Sequence, residues 1–161
     1  MKTIKSIALI VLLLGSTNIS FSQTAQGNET KALIDSRHFI FEVQSTSPQT
    51  GITKQESYGF FLRISGDTLY SYLPFYGRAT TPVMNPGERP LNFTSVKFLY
   101  EVKERKKGGW DILIKPTDQK NVREMTLTIF ENGNSSLYVI SNNLDPISYN
   151  GIVTDQGSEA K

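Results

Sequence analysis

Apolar and polar residues alternate with a period of two over most of the chain from Arg37 onward. Such alternation places successive side chains on opposite faces of a β-strand. The alternating segments are residues 39–44, 58–65, 69–73, 96–103, 110–114, 125–129, 137–140 and 147–153. No long helical pattern interrupts them. The spacing therefore predicts an all-β fold, a single antiparallel β-sandwich or barrel of about 7–8 strands.

Turn-forming residues separate several of these segments. Ser65-Gly66-Asp67, Lys107-Gly108-Gly109 and Asn132-Gly133-Asn134 offer residues that tolerate a positive φ, as tight hairpins require. Pairing strands through such turns would bring one set of apolar side chains to a common core. The predicted members of that core are Phe41, Phe60, Leu62, Phe98, Tyr100, Ile112, Leu127 and Val139.

Three segments depart from the alternation. Residues 45–56 are rich in Ser, Thr, Pro and Gly and predict a polar loop. Residues 74–91 hold four of the 7 prolines, and they predict a long connection because proline cannot donate to a sheet ladder. Residues 23–36 predict a flexible leader, within which Lys31–Ser36 could form a short helix. The remaining boundaries are a β-domain over residues 37–153 and a disordered tail over residues 154–161.

Residues 1–22 have the three-part pattern of a cleavable secretory signal. Lys2 and Lys5 form a basic head, Ile7–Leu14 is an unbroken apolar run, and Ser20-Phe21-Ser22 supplies small residues at the cleavage positions. The apolar run is shorter than the roughly 20 residues that span a bilayer. No cysteine follows it to carry a lipid. We expect cleavage near Ser22–Gln23, no stable membrane anchor, and an exported product that is soluble in the periplasm or the medium.

The charge and cysteine content exclude several functions. The chain has 17 basic and 15 acidic residues, and two of the lysines lie in the predicted signal, so the rest of the chain is neutral. A neutral chain has no overall attraction to nucleic acid, which proteins bind through many Lys and Arg contacts. The absence of cysteine excludes thiol catalysis, cysteine-based zinc sites and disulfides.

Candidate catalytic groups are few. His38 is the single histidine, and neither a Gly-x-Ser-x-Gly motif nor an Asp-x-Asp-x-Asp loop occurs, so we expect no metal and no cofactor. A hydrolase with two carboxylates about 5–10 Å apart is the remaining enzymatic alternative. The carboxylates available to it are Glu42, Asp67, Glu88, Glu101, Asp111 and Glu131. Most occupy the polar phase of strands or turns, which favours solvated surface positions over catalysis.

An aromatic cluster at the start of the proline-rich connection is the strongest candidate for ligand binding. It gathers Tyr70, Tyr72, Phe75 and Tyr76 with Arg78, and the predicted ligand-binding residues are Tyr72, Phe75, Tyr76 and Arg78. Aromatic faces stack on sugars or other flat groups, and arginine binds carboxylates or phosphates through two parallel hydrogen bonds. Aromatic residues also favour strands for packing reasons alone. The residues 103–107, at a predicted hairpin tip, add a local positive charge that could contact an anionic surface or simply be solvated.

Several separated segments resemble one known family. They occur in the same order along the chain and are Tyr72–Ala79, Pro90–Ser95, Lys106–Trp110 and Pro146–Gly151. In these segments the chain resembles an exported family of Bacteroidetes bacteria, domain of unknown function 4251. The resemblance covers residues 30–153 and implies a bacterial source and an envelope location. It implies no reaction and no catalytic residues.

One further motif bears on modification. Asp67-Thr68-Leu69 fits the Asp-Ser/Thr-apolar pattern at which Bacteroidetes attach O-glycans to exported proteins, so Thr68 is a predicted glycosylation site. Taken together, the sequence favours a non-catalytic domain that binds a ligand or an envelope partner. A structural or assembly protein of the envelope is the first alternative, and a carboxylate-based hydrolase is the second.

Overall fold

A computed structural model of the protein describes residues 21–57, 59–80 and 89–159. Within these ranges, one α-helix, α1 (Phe21–Ser36), precedes ten β-strands, and a short 3-10 helix (Gln156–Glu159) follows them. The strands are β1 (His38–Pro48), β2 (Lys54–Gln55), β3 (Phe61–Ser65), β4 (Thr68–Tyr72), β5 (Asn92–Ser95), β6 (Phe98–Glu104), β7 (Trp110–Pro116), β8 (Val122–Ile129), β9 (Asn134–Ser141) and β10 (Ile147–Thr154). The predicted all-β class is confirmed.

The number of strands is higher than predicted because two short strands form outside the alternating segments. β2 lies inside the predicted polar loop of residues 45–56, where it pairs with Ser45 and Thr46 of β1. β5 follows the proline-rich connection and pairs with β4. Neither strand has enough residues for alternation to be visible in the sequence. Each is defined by its pairing with an earlier strand, β2 with β1 and β5 with β4.

All ten strands belong to one antiparallel sheet that is nearly closed into a barrel. The order across the sheet is β5-β4-β3-β1-β10-β9-β8-β7-β6, with β2 added beside β1. The two end strands are consecutive in the chain and are joined only by Val96 and Lys97. The chain thus passes directly from one border of the sheet to the other at this corner, which leads to a barrel instead of two packed sheets.

The barrel interior is filled by the side chains that the alternation predicts. Five members of the predicted core are fully buried at 0% exposure: Phe41, Leu62, Ile112, Leu127 and Val139. The other three, Phe60, Phe98 and Tyr100, are partly buried and pack against this cluster. The predicted core is therefore confirmed. Burying one large apolar side chain stabilises the folded state by about 2–3 kcal/mol. The core is therefore the main stabilising contribution in a chain without disulfides.

Helix α1 packs across one end of the barrel. The Thr30 hydroxyl donates to the carbonyl oxygen of Glu131 at 3.2 Å, and Ile34 is buried in the core. The Tyr100 hydroxyl donates to the carbonyl oxygen of Ile34 at 3.2 Å, which connects the helix to β6. Residues 23–36, predicted as a flexible leader with a possible short helix over Lys31–Ser36, thus lie entirely within α1.

The C-terminal segment is also more ordered than predicted. β10 continues to Thr154, and the 3-10 helix covers residues that were expected to be disordered. The Gln156 side-chain amide donates to the carbonyl oxygen of Ile64, so this segment is attached to β3. Among the residues that the structure describes, no helix has the length and apolar character needed to cross a membrane. Residues 1–20, most of the predicted signal, lie outside the described residues.

Candidate functional site

The outer face of β3, β4 and β5 carries an open aromatic groove of about 470 Å³. In β3 and β4 the inward residues are buried, so Phe61, Tyr70 and Tyr72 point away from the core. The Tyr72 ring lies 6.0 Å from the ring of Phe61 and 5.6 Å from that of Phe60. The groove is lined by Gly59, Phe61, Tyr70, Ser71, Tyr72, Asn92, Phe93 and Thr94.

Two arginines lie on this aromatic surface. The Arg63 guanidinium carbon is 4.3 Å from the centre of the Tyr70 ring and 5.7 Å from that of Phe61. The Arg89 guanidinium carbon is 5.4 Å from the Tyr72 ring, and Arg89 donates a hydrogen bond to the Tyr72 hydroxyl. Cation–π contacts of this kind orient the guanidinium groups along the aromatic surface. We call Phe61, Arg63, Tyr70, Tyr72 and Arg89 the aromatic–arginine face.

Neither arginine is neutralised by a carboxylate in the described ranges 21–57, 59–80 and 89–159, where no ion pair of either guanidinium occurs. The Arg63 Nε atom is buried and has no hydrogen-bond partner among the same residues. The positive charges of Arg63 and Arg89, which have no ion pair in these ranges, favour a negatively charged ligand on this face.

Of the predicted binding residues, Tyr72 alone belongs to this face. Phe75 is partly buried and packs against the core. Tyr76 donates a hydrogen bond to the Glu56 carboxylate at 3.2 Å, and the Lys54 ammonium lies 3.7 Å from the centre of its ring. Partial burial and the neighbouring Glu56 raise the pKa of Tyr76. Arg78 is fixed through its main chain, whose N–H donates to the Asp145 carboxylate at 3.1 Å.

The predicted cluster therefore divides between different neighbours. The reason lies at the end of β4, where Leu73 and Pro74 are both buried, so the alternation of the strand ends after Tyr72. The buried Tyr149 hydroxyl donates to the carbonyl oxygen of Pro74 at 2.7 Å, which holds this segment against β10. Desolvation by this burial raises the pKa of Tyr149 far above its ordinary value.

Three residues of the face, Phe61, Arg63 and Arg89, were missed in the sequence, although a signal for two of them was present. Phe61 and Arg63 occupy the outward phase of the alternating segment 58–65, and Tyr70, which belongs to the predicted aromatic cluster, shares the phase of Tyr72. Treating the outward phase as a surface with its own chemistry would have found them. Arg89 gave no such signal, because it reaches Tyr72 across a connection whose path the sequence does not reveal.

The other candidate groups have structural contacts. The His38 Nδ1 atom lies 2.6 Å from the carbonyl oxygen of Ser36, at the junction between α1 and β1. Asp111 accepts a hydrogen bond from Thr128 at 2.7 Å and lies 3.6 Å from Arg105. Within the part of the chain that the structure describes, no group of three or more His, Asp or Glu residues is arranged to bind a metal. Glu88 lies outside the described residues.

Thr68, the predicted glycosylation site, lies at the turn between β3 and β4. It is the first residue of β4 and pairs with Ser65 across the turn, and it is half-buried. The Asp67 side chain beside it is 99% exposed. Glycosylation at Thr68 stays a prediction.

Comparison with known proteins identifies the family. The family model of a domain of unknown function (DUF4251) matches residues 22–153, so the chain belongs to that family. The fold is similar to the crystal structure of a DUF4251 family protein from Bacteroides eggerthii, with a TM-score of 0.61 and 14% sequence identity. That match covers 85% of this chain and 94% of the other. No curated protein matches the chain.

Proposed function

We propose that this protein is an exported, non-catalytic binding domain whose ligand is an acidic saccharide bound on the aromatic–arginine face. The observation that carries the proposal is the position of Arg63 and Arg89 on the exposed aromatic surface around Tyr72, with no carboxylate paired to either among the described residues. Aromatic rings stack on the apolar faces of sugar rings, and arginine binds carboxylates in a planar, bidentate geometry.

The shape of the surface supports an extended ligand. The barrel interior is filled by a contiguous cluster of buried side chains, so the ligand surface lies outside the barrel. The groove is open along β4 and β5, where Asn92 and Thr94 add polar groups beside the rings. Open grooves with a few polar groups suit a polymer chain that is contacted along its length, whereas small lipophilic ligands are mostly enclosed.

Export rests on the N-terminal pattern. The basic head, the apolar run and the small residues before Gln23 have the order of a secretory signal. A protein delivered outside the cytoplasm of a bacterium encounters polysaccharides of the envelope and of the environment. Acidic members of these polysaccharides are the proposed ligands of the aromatic–arginine face. The predicted product is soluble after cleavage, and its location is the periplasm or the medium.

A glycan array that carries matched acidic and neutral saccharides tests this proposal, followed by calorimetry with the best acidic ligand. Arg89→Gln should weaken binding at least tenfold, or about 1.4 kcal/mol, because it removes a charge that faces the ligand. Tyr72→Ala should weaken it further by removing the stacking surface. Both variants must keep a melting temperature close to that of the parent protein for the comparison to count.

Matched controls lie on distant strands of the same barrel. Arg123 of β8 is exposed, and Tyr138 of β9 is 42% exposed. Arg123→Gln and Tyr138→Ala change the same residue types and should leave binding unchanged. Binding to neutral saccharides alone, or binding that survives both substitutions in the face, would overturn the proposed ligand class. Recovery of a protein partner at this face would favour the assembly alternative.

A further inference from the structure

Among the strands that the structure describes, β6 ends the sheet, and one of its edges has no neighbouring strand. At the two ends of its ladder with β7, the Arg105 N–H donates to the Gly109 oxygen, and the Thr117 N–H donates to the Lys97 oxygen. Because bonding residues alternate in an antiparallel pair, the odd-numbered residues of β6 point their backbone groups toward β7. The backbone groups that point away from β7 are those of Phe98, Tyr100, Val102 and Glu104.

The other end of the sheet is protected differently. Beside β5, the Gln119 amide donates to the Thr94 oxygen, and the Asp118 carboxylate accepts from the Val96 N–H. No side chain among the described residues makes an equivalent bond to the outward backbone groups of β6. Residues 101–104 are all exposed, and Val102 is 42% exposed although it occupies the inward phase of its strand. β6 is therefore an accessible edge with an apolar residue at its centre.

We propose that two copies of this chain pair through β6, antiparallel and centred on Val102. In this arrangement Val102 lies opposite Val102 of the second copy, and their backbone groups exchange hydrogen bonds. Glu101 lies opposite Lys103 of the second copy, and the two-fold symmetry repeats this pair. Opposite charges directly across an antiparallel pair are stabilising. The interface is isologous, so it closes as a dimer and blocks further edge pairing.

Neighbouring registers of the same strand are opposed by its charges. Centring the pair on Glu101 or on Lys103 places each of those residues opposite its own copy, which sets like charges against each other. Centring it on Tyr100 places Lys97 opposite Lys103, again two cations. All of these registers, including the proposed one, place inward side chains opposite inward ones and outward side chains opposite outward ones. The pairing of charges is therefore what distinguishes the proposed register from these neighbours.

A register centred on Leu99 avoids like charges but needs a backbone donor that is already bonded. It would bring Val96 into the ladder, whose N–H donates to the Asp118 carboxylate at 2.9 Å. The register centred on Val102 uses residues 100–104, and no side chain among the described residues bonds to the outward backbone groups there. Of the registers compared, the one centred on Val102 therefore combines opposite charges across the pair with backbone groups that no described side chain occupies.

Sedimentation equilibrium of the purified protein over a dilution series tests the dimer. The parent protein should show a concentration-dependent dimer. Glu101→Lys and Lys103→Glu should each raise the dissociation constant at least tenfold, because each replaces two attractive pairs with two repulsive ones. The double variant restores opposite charges in both pairs, and its dissociation constant should return to within about threefold of the parent value.

A backbone variant tests the hydrogen bonding independently of charge. Val102→Pro removes an N–H that points away from β7, so the monomer should keep its circular dichroism spectrum while the dimer is lost. Val102→Ala keeps the N–H and should retain the dimer. A monomer at every concentration would overturn the proposal. So would a dimer that both single charge variants leave unchanged, or a double variant that does not recover.

Discussion

Gly151 lies where the backbones of the first and last strands of the barrel approach closely. A Cβ atom on Gly151 would lie 1.8 Å from the carbonyl oxygen of Glu42 and 3.1 Å from Cε2 of Phe41. The pairing of β1 with β10 shifts register between Val43 and Ser45 next to this position, so the two backbones approach closely there. Gly151→Ala should destabilise the protein by roughly 1–3 kcal/mol, measured by urea unfolding.

The matched substitution is at Gly27 in α1, where a Cβ atom would be 3.7 Å from the nearest atom, Cβ of Glu131. This is ordinary van der Waals contact, and alanine favours the helix over glycine by about 0.5–1 kcal/mol. Gly27→Ala should therefore be neutral or stabilising. Equal losses of stability in the two variants would show that the close approach at Gly151 is not the cause.

At the same scale, the sequence predicts which side of each strand faces the core and misses what the other side does. Leu62 was expected inside and is buried, as is Ile64 on the same phase of the strand. Phe61 and Arg63 occupy the opposite phase, where the structure places a cation beside aromatic rings. Burial follows from alternation because hydrophobicity is a property of one residue. Contacts between outward residues depend on strand pairing, which single-sequence alternation does not contain.

Among the elements, the corner between β5 and β6 depends on one carboxylate. Asp118 accepts hydrogen bonds from the Ser95 hydroxyl and from the Val96 N–H at 2.9 Å. These bonds lower the pKa of Asp118. A lowered pKa in the folded state contributes stability above the ordinary carboxyl range of about 3.9, and that contribution is lost as pH falls through the lowered value.

Asp118→Asn should therefore lower the melting temperature at neutral pH, and the difference from the parent protein should shrink as the pH falls below the ordinary carboxyl range. Thermal unfolding followed by circular dichroism at several pH values measures both. Asp67→Asn is the control, because that carboxylate is 99% exposed and lies 4.0 Å from Arg37. Exposed pairs contribute little. A difference that stays constant with pH would refute the role of the Asp118 charge.

The helix illustrates what limits prediction at the level of elements. Residues 23–30 lack bulky apolar side chains, so no helical period appears there. The structure places them in α1, whose contacts with the barrel are few and partly polar: the Gln26 amide donates to the Asn132 oxygen at 3.4 Å, and Thr30 donates to Glu131. Tertiary contacts of this kind stabilise a helix that the pattern of its own residues does not predict.

For the whole molecule, closure of the sheet was the property least accessible to sequence. Hairpin turns specify neighbours such as β8 and β9, whose Asn-Gly turn was recognised. The pairing of β1 with β10 joins the two ends of the domain, for example Phe41 with Val153. No local signal encodes a contact over that separation, so the order of the strands, on which the choice between sandwich and barrel depends, stayed open until the structure resolved it.

Export with cleavage near Gln23 would remove the first residues of α1, so the contacts of this helix bear on the stability of the processed protein. The family match begins at residue 22, and the contacts described for α1 with the barrel begin at Gln26. Cleavage before Gln23 would leave these contacts intact. Protein recovered from the envelope of its native host should start within about two residues of Gln23, as read by N-terminal sequencing.

The processed protein should also keep the melting temperature of the uncleaved chain, since the helix retains Thr30 and Ile34, which attach it to the barrel. Leu12→Arg places a charge in the apolar run and should block export and processing. A membrane-bound product that keeps Met1 would contradict export with cleavage. A processed product that unfolds at a much lower temperature would show that the barrel depends on residues before Gln23.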